Sequence, residues 1–555
     1  MIYDDLRSYL DALADAGQLL RIAEPVHPDP HLGAAANAAA RLGEGAPALL
    51  FQNVAGYENA RVAVNVHGSW ANHAIAMGLP AQTNVRLQVE EFGRRWDAFP
   101  VPAEHREDPP FGAVTLEGGD VDLFRILPLF RLNDGDGGYY IDKAAVISRD
   151  PDDPQHFGKQ NVGIYRLQVK GRSRLGLQPG SIHDLARHLK HAEQRGEDLP
   201  VAIAIGNDPV ISIVAATPMP YDQSEYELAG ALRGAPAPIA KAPLTGLDVP
   251  WGAEVVLEGV IESRVREIEG PFGEFTGHYS GGRRMPVIRI DRISHRVDPI
   301  FEHLYLGMPW TEIDYLMGPA TCVPLLKELR GDFPEVRAVN AMYTHGLLTI
   351  VSTANRNGGF AKAVGLRTMT TGHGLGYCKI VIVVDEDVDP FNLPQVMWAL
   401  STKVNGPDDV VHVPNLSILP LDPGSQPKGL SHKTLIDATT PVHPDLRGHY
   451  AQPVADVPEA AAWAEILASS GAAPAPPAPV VPVSCPRCEA GDLHTVATSS
   501  PPGWWKIYQC SRCLYAWRDT EPARRTSRPE FPGTFRWTDA DFANAPELPP
   551  VPREL

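Results

Sequence analysis

Apolar positions at Leu6, Leu10, Leu13 and Leu19–Leu20 recur at helical spacing and predict an amphipathic helix over the first twenty or so residues. Further along, the period changes. NVGIYRLQVKG (161–171) reads as a strand. SIHDLARHLKHAEQRG (181–196) reads as a helix, with Ser181 as N-cap and Ile182, Leu185, Ala186 and Leu189 on its apolar stripe. PVAIAIG (200–206), MPVIRIDRISHR (285–296), LLTIVSTA (347–354) and YCKIVIVVDEDV (377–388) read as strands, and NLPQVMWALSTKV (392–404) as a helix. Strands alternating with helices predict an α/β or α+β fold in more than one layer. The pattern stops at GAAPAPPAPVVPV (471–483), a Pro/Ala linker that spans roughly 3 Å per residue and acts as a stiff spacer.

The chain has 555 residues, too many for one core. A net charge of −18 argues against a general nucleic-acid or anionic-membrane binder, both of which need a basic face. No apolar run approaches the length of a bilayer span, and the amino terminus carries early acids rather than a basic start and an apolar block, so a cytoplasmic protein is expected. Two of the six cysteines, Cys322 and Cys378, stand alone in apolar settings and read as buried thiols. The other four form two C-x-x-C pairs, Cys485/Cys488 and Cys510/Cys513, with twenty-one residues between the pairs. That spacing fits a tetrahedral four-thiolate zinc ribbon with no open position, hence a structural site. Residues 484–555 hold nine basic and nine acidic side chains, so this ribbon lacks the broad basic footprint of a nucleic-acid binder.

EIEGPFGEF (267–275) raises the question of catalysis. Glu269 and Glu274 bracket a Gly-Pro-Phe-Gly turn and can face one cavity. Like charges held close cannot both ionise freely, so one carboxyl becomes an acid. Taken alone, the stretch reads rather as a turn with two surface acids. Asn161, His183 and Glu225 offer an amide oxygen, an imidazole and a carboxylate, a donor set suited to a hard or borderline divalent ion. Each has a plain structural role as an alternative: turn residue, first-turn polar residue, helix-start acid. Asn161 and Arg166 are five apart, so a regular strand would turn them to opposite faces unless a bulge near Gly163 realigns them.

In this order, NVGIYR, PVAIAIGNDP, SEYELAGAL, EIEGPFGEFTGHYSGG, KIVIVVDEDVD with VMWALSTK, and IDAT strongly resemble the UbiD-type decarboxylase family over residues 1–450. The tail, from CPRCEAGDLHTVATS to YQCSRCLYAWRDTEPARRTSR, is similar to the small D subunit of the non-oxidative hydroxyarylic acid decarboxylases, whose large C subunit is the UbiD-type chain. The two parts are joined here through the Pro/Ala linker. The resemblance implies an N-terminal α/β cap segment (1–110), a split β-barrel domain that binds prenylated FMN (111–310) and a C-terminal α/β oligomerisation domain (311–470). The linker (471–483) and the zinc-ribbon domain (484–555) follow.

It also implies prenylated FMN as cofactor, a divalent ion such as Mn2+, K+, and a separate flavin prenyltransferase supplying the flavin. By motif, Asn161, His183 and Glu225 are the implied Mn2+ ligands. Ile164, Arg166 and Lys379 join them around the cofactor, Lys379 at its phosphate. Arg166, Glu269 and Glu274 form the implied catalytic network: Glu274 donates the proton that replaces the carboxyl group, Arg166 holds the substrate carboxylate, and Glu269 positions Arg166. Phe275 is a candidate pocket wall and His432 a candidate contact for a substrate hydroxyl. The implied reaction is reversible non-oxidative decarboxylation of a hydroxylated aromatic acid by a homo-oligomer, with another aromatic, heteroaromatic or polyprenylated acid as the alternative substrate. Two readings of other classes are a zinc-tailed binding module and a flavin oxidoreductase. The chain has no convincing dinucleotide fingerprint for the last.

Overall fold

A computed structural model of the chain describes residues 2–180, 183–307, 310–445, 454, 457–469 and 478–545. It divides into two compact units, Met1–Tyr450 and Ala451–Leu555. The proposed N-cap Ser181, its neighbour Ile182 and linker residues 471–477 lie outside the described residues.

The amino-terminal helix spans Leu6–Asp15. The Asp5 carboxylate accepts from Ser8 N at 2.9 Å and caps it, and Leu6, Tyr9, Leu10 and Leu13 are its buried face. The expected stripe is shorter than the apolar pattern suggested. Gly17, at φ +70, ends the helix, and Leu19–Ile22 is a strand paired in parallel with Ala48–Phe51. Arg61–Val64 extends this sheet, and Ile300–His303 completes it from more than two hundred residues downstream.

The central sheet is a barrel. Its strands run in the order 139–141, 166–171, 174–178, 283–295, 255–269, 199–205, 145–149 and 160–164. Strands Gln160–Ile164 and Arg166–Gly171 stand toward opposite ends of that order, and the single residue Tyr165 joins them. Residues 161–171 are therefore two strands, not one. Asn161 and Arg166 belong to different strands, and the five-residue spacing no longer sets their relative facing. The helix after the barrel's first hairpins runs Asp184–Arg195 with His183 as N-cap. Its buried stripe is Leu185, His188, Leu189 and Ala192, with His188 held by Ser148 Oγ at 3.0 Å. Ala186, expected on that stripe, is only half-buried.

The third layer is a mixed sheet ordered 336–343, 348–353, 380–385, 430–438, 410–417, flanked by helices Glu312–Asp332, Phe360–Thr370 and Leu393–Lys403. Cys322 and Cys378 are buried as expected. The smaller unit carries helix Ala460–Ser469 and a three-stranded antiparallel ribbon, 493–498, 506–510 and 516–518. Among the described residues no helix is long and apolar enough to cross a membrane.

Candidate active site

The two longest barrel strands, Val255–Glu269 and Arg283–His295, pair until Glu269 faces Arg283. Between them the chain folds into a tight loop in which Phe272–Gly273 pairs with Tyr279–Ser280. Glycine is required twice. Gly270 sits at φ +93, where a Cβ would stand 2.9 Å from the Gly281 carbonyl, and a Cβ on Gly273 would meet Asn133 Nδ2 at 2.4 Å. This compactness lays both glutamates on Arg166. Arg166 Nε donates to Glu269 Oε1 at 2.9 Å and Nη2 to Glu269 Oε2 at 2.5 Å, a parallel two-bond contact. Nη1 donates to Glu274 Oε1 and, at 3.0 Å, to Ser280 Oγ. The guanidinium carbon lies 5.0 Å from the Phe272 ring and 5.9 Å from that of Tyr140.

All three charged residues are buried: Glu269 is 0% exposed, Glu274 5% and Arg166 8%. One guanidinium cannot offset two desolvated carboxylates, and burial pushes the Glu274 carboxyl above its usual range while Arg166 opposes the shift. Glu274 also lines a small pocket of about 60 Å3 together with Thr276, Tyr279, Ser280 and Arg283 of the hairpin and Pro420, Leu421, Pro423 and Lys428 of the third layer.

Asn161 and His183 both contact Tyr165, and Glu225 acts on the same phenol electrostatically. The phenol donates to Asn161 Oδ1 at 3.2 Å, and the His183 ring meets the Tyr165 ring edge-on at 5.4 Å. Glu225 starts the helix Glu225–Arg233. Its carboxylate adds to the forces that push the Tyr165 phenol up, after burial itself. Burial also drives the Glu225 carboxyl well up and the His183 imidazole down, and Glu225 Oε2 is buried with no hydrogen-bond partner. An orphaned buried carboxylate oxygen, an imidazole and an amide oxygen are by their chemistry a donor set that fits a divalent cation. His188, five residues on from His183, is engaged with Ser148 and the Tyr221 ring.

The remaining candidates are spread more widely. Ile164 is half-buried, its N–H donating to Ala215 O at 2.9 Å. Lys379 precedes strand Ile380–Asp385 and donates to Asp422 Oδ1 at 2.9 Å, which ties it to the 420–428 segment bordering the pocket. Phe275 is buried with its ring stacked on His345. His432 is exposed on strand Leu430–Ala438 and is not among the pocket-lining residues. The alternation of the strand turns Lys433 inward instead, where Nζ donates to Gly374 O. In the smaller unit the four cysteine sulfurs lie within 4.8 Å of one another, with Cys485–Cys513 at 3.5 Å and Cys488–Cys510 at 3.6 Å. A tetrahedron of thiolates around zinc at 2.3 Å puts sulfurs about 3.8 Å apart, so these residues fit the ion.

Ser280, Tyr140, Phe272 and Tyr165 complete the site and were not singled out from the sequence. Ser280 lies within the motif EIEGPFGEFTGHYSGG itself, and Tyr165 within NVGIYR, so their signal was proximity to quoted residues. Tyr140 had none.

Comparison with known proteins bears on the whole chain. Three 3-octaprenyl-4-hydroxybenzoate carboxy-lyase domains match in succession: the N-terminal domain at residues 10–92, the Rift-related domain at 103–309 and the C-terminal domain at 314–438. The EcdD/BsdD phenolic detoxification family matches residues 481–533. A phenolic acid decarboxylase of Streptomyces sp. (strain D7) is 70% identical over 467 residues, covering 84% of this chain and 98% of the relative. The vanillic acid decarboxylase of Sedimentibacter hydroxybenzoicus in its closed form superposes with a TM-score of 0.80 at 51% identity, over 85% of this chain and 99% of that one. An evolved dimeric form of the UbiD-class enzyme HmfF from Pelotomaculum thermopropionicum, in complex with prenylated FMN, gives 0.69 at 28% identity, over 82% and 98%. With the Glu269–Arg166–Glu274 triad in place and homology extending over nearly the full length of its relatives, the chain belongs to the UbiD family of carboxy-lyases and carries an EcdD/BsdD-type domain on the same polypeptide.

Proposed function

We propose that the protein catalyses reversible non-oxidative decarboxylation of a hydroxylated aromatic acid of the 4-hydroxybenzoate or vanillate type, yielding the phenol and CO2. The observation that carries this reading is the buried triad, in which one arginine faces two carboxylates and burial raises the Glu274 carboxyl above its usual range.

Bound prenylated FMN supplies the electron sink that loss of CO2 from an aromatic ring requires. The protein's own residues do the rest. Four of the Arg166 hydrogen bonds go to Glu269, Glu274 and Ser280. With a proton on Glu274 its charge is gone, and Nη1 is released to hold the substrate carboxylate while Glu269 fixes the guanidinium plane. Departure of CO2 removes that negative charge from Arg166. Glu274 then delivers its proton to the ring carbon that bore the carboxyl group. The carboxylate so formed pairs again with Arg166 until a proton from solvent restores the acid.

Asn161, His183 and Glu225 would hold Mn2+ or a similar divalent ion, with K+ nearby, to offset the charge of the cofactor phosphate. Ile164 and Lys379 would border the cofactor, and Lys379 would meet the phosphate on exchanging its Asp422 partner. The four cysteines would hold a structural Zn2+. A separate prenyltransferase would provide the flavin, and the chain would work in the cytoplasm as a homo-oligomer.

The test is anaerobic product formation from 4-hydroxybenzoate and vanillate, using protein made with and without a co-expressed flavin prenyltransferase. Phenol or guaiacol appearing only with the prenyltransferase is expected. A flavin spectrum with no product from either acid would move the substrate to another aromatic, heteroaromatic or polyprenylated acid. Absence of both flavin and product would overturn the reading.

A further inference from the structure

Phe275 directly follows Glu274 at the tip of the hairpin loop. The tip is closed by Glu274 N donating to His278 O at 3.0 Å and Gly277 N to Glu274 O at 2.9 Å. The Phe275 ring lies face to face with that of His345, centroids 3.9 Å and planes 10° apart. His345 comes from a different layer, the turn between strands Val336–Tyr343 and Leu348–Thr353. Both residues are 6% exposed.

The turn that presents His345 is strained. Thr344 and His345 are successive non-glycine residues at φ +50 and +56, a region that such residues seldom enter and that concentrates at functional sites. It is braced by His373 Nε2, which donates to the His345 carbonyl at 3.1 Å while its own ring stacks on Tyr377 at 4.5 Å. Tyr377 in turn senses the charge of Glu274, which adds to burial in pushing its phenol up. The His345 ring nitrogen Nε2 is buried without a hydrogen-bond partner among the described residues, 3.9 Å from Asp314 Oδ1, which also has none. Burial lowers the imidazole to about 3, so it is neutral near pH 7. A ring held in a strained turn, uncharged and with that nitrogen unbonded, acts here through its flat face.

We propose that His345 is a positioning residue for the Glu274 acid: its stack on Phe275 fixes the loop tip so that the Glu274 carboxyl points at Arg166. The acid is thereby set only when the third layer is seated on the barrel. This inference rests on the decarboxylase reading, in which Glu274 is the proton donor.

The experiment compares His345→Ala, which removes the ring, with His345→Phe, which keeps a flat ring and removes both nitrogens. His345→Leu stands in for His345→Ala should the latter not fold. Expected for the ring-less variant are flavin loading and KM near those of the parent, kcat at least tenfold lower, and a larger solvent deuterium isotope effect as protonation becomes limiting. His345→Phe is expected within about threefold of the parent kcat, the stack being retained. Crystal structures of the same variants read the Glu274–Arg166 contact without any turnover, intact in His345→Phe and broken in the ring-less protein. A ring-less variant with parental kcat or an unmoved Glu274, or a His345→Phe variant as slow as the ring-less one, would overturn the assignment. A parent protein that decarboxylates no aromatic acid, yet whose ring-less variant still loses the Glu274–Arg166 contact, would overturn the decarboxylase reading alone.

Discussion

Arg166 carries one positive charge against two buried carboxylates, and the two are not equivalent. Glu269 takes the parallel pair of bonds, whereas Glu274 shares Nη1 with Ser280 and borders the pocket. Glu274→Gln keeps the shape and removes the proton. Flavin loading, read from absorbance, should stay at the parental level while kcat falls by at least about a hundredfold. The sign of the pH effect follows from the raised carboxyl. Protonated Glu274 is the active form, so kcat/KM falls as pH rises through its folded-state pKa. Stability moves the same way: the folded state holds this proton more tightly than the unfolded chain, so the contribution is full below the unfolded carboxyl's pKa and is lost as pH rises through the folded one. The neutral glutamine lacks that loss, and the Tm of Glu274→Gln should gain on the parent as pH rises above the usual glutamate range. Arg166→Met tests the other partner. It leaves Glu269, 0% exposed, with no counter-charge, and a cost of about 3–5 kcal/mol is expected in urea unfolding.

Individual elements depend on a few positions that a pattern of apolar residues does not reveal. In the hairpin loop, Gly270→Ala meets both a left-handed backbone, at about 1–2 kcal/mol, and the Gly281 carbonyl 2.9 Å away. Gly17→Ala has a similar φ, +70, with nothing within 4 Å of the new Cβ. Both should lower Tm, but only Gly270→Ala should also cost activity, because only it displaces the loop that carries Glu269 and Glu274. The motif E-G-P-F-G-E was legible because its chemistry is local: two acids, two glycines and a proline in one turn. The break at Tyr165 was not legible. NVGIYRLQVKG alternates like one strand, and it divides because its halves pair with different partners, 145–149 on one side and 139–141 and 174–178 on the other. Strand parity likewise decided between neighbours at 432 and 433, exposing the histidine and burying the lysine.

For the whole molecule, the division into two compact units predicts two separable responses to metal removal. The smaller unit has a limited core, built around Cys485, Cys488, Cys510 and Trp517, so the bound ion is expected to supply much of its folding free energy. Chelation or Cys510→Ser should release about one zinc per chain and open the ribbon to limited proteolysis. The cooperative thermal transition of the larger unit should remain within a few degrees of its original position. A shift of both transitions together would show that the units do not fold independently.

Composition and spacing by themselves determined the two-part organisation, the four-cysteine grouping of the tail and the acid pair of the 267–275 loop. Each of these is written in residues close together in the chain, where turn geometry and ligand spacing act directly. Tertiary structure alone decided which residues meet. It brought Arg166 to Glu269 and Glu274 across more than a hundred positions, set the His183 ring against that of Tyr165, and laid His345 on Phe275. Those contacts depend on strand pairing within the central sheet and on the packing of a third layer against it. Such packing is fixed by the summed pairing and burial of distant segments, and no single stretch of sequence contains that sum.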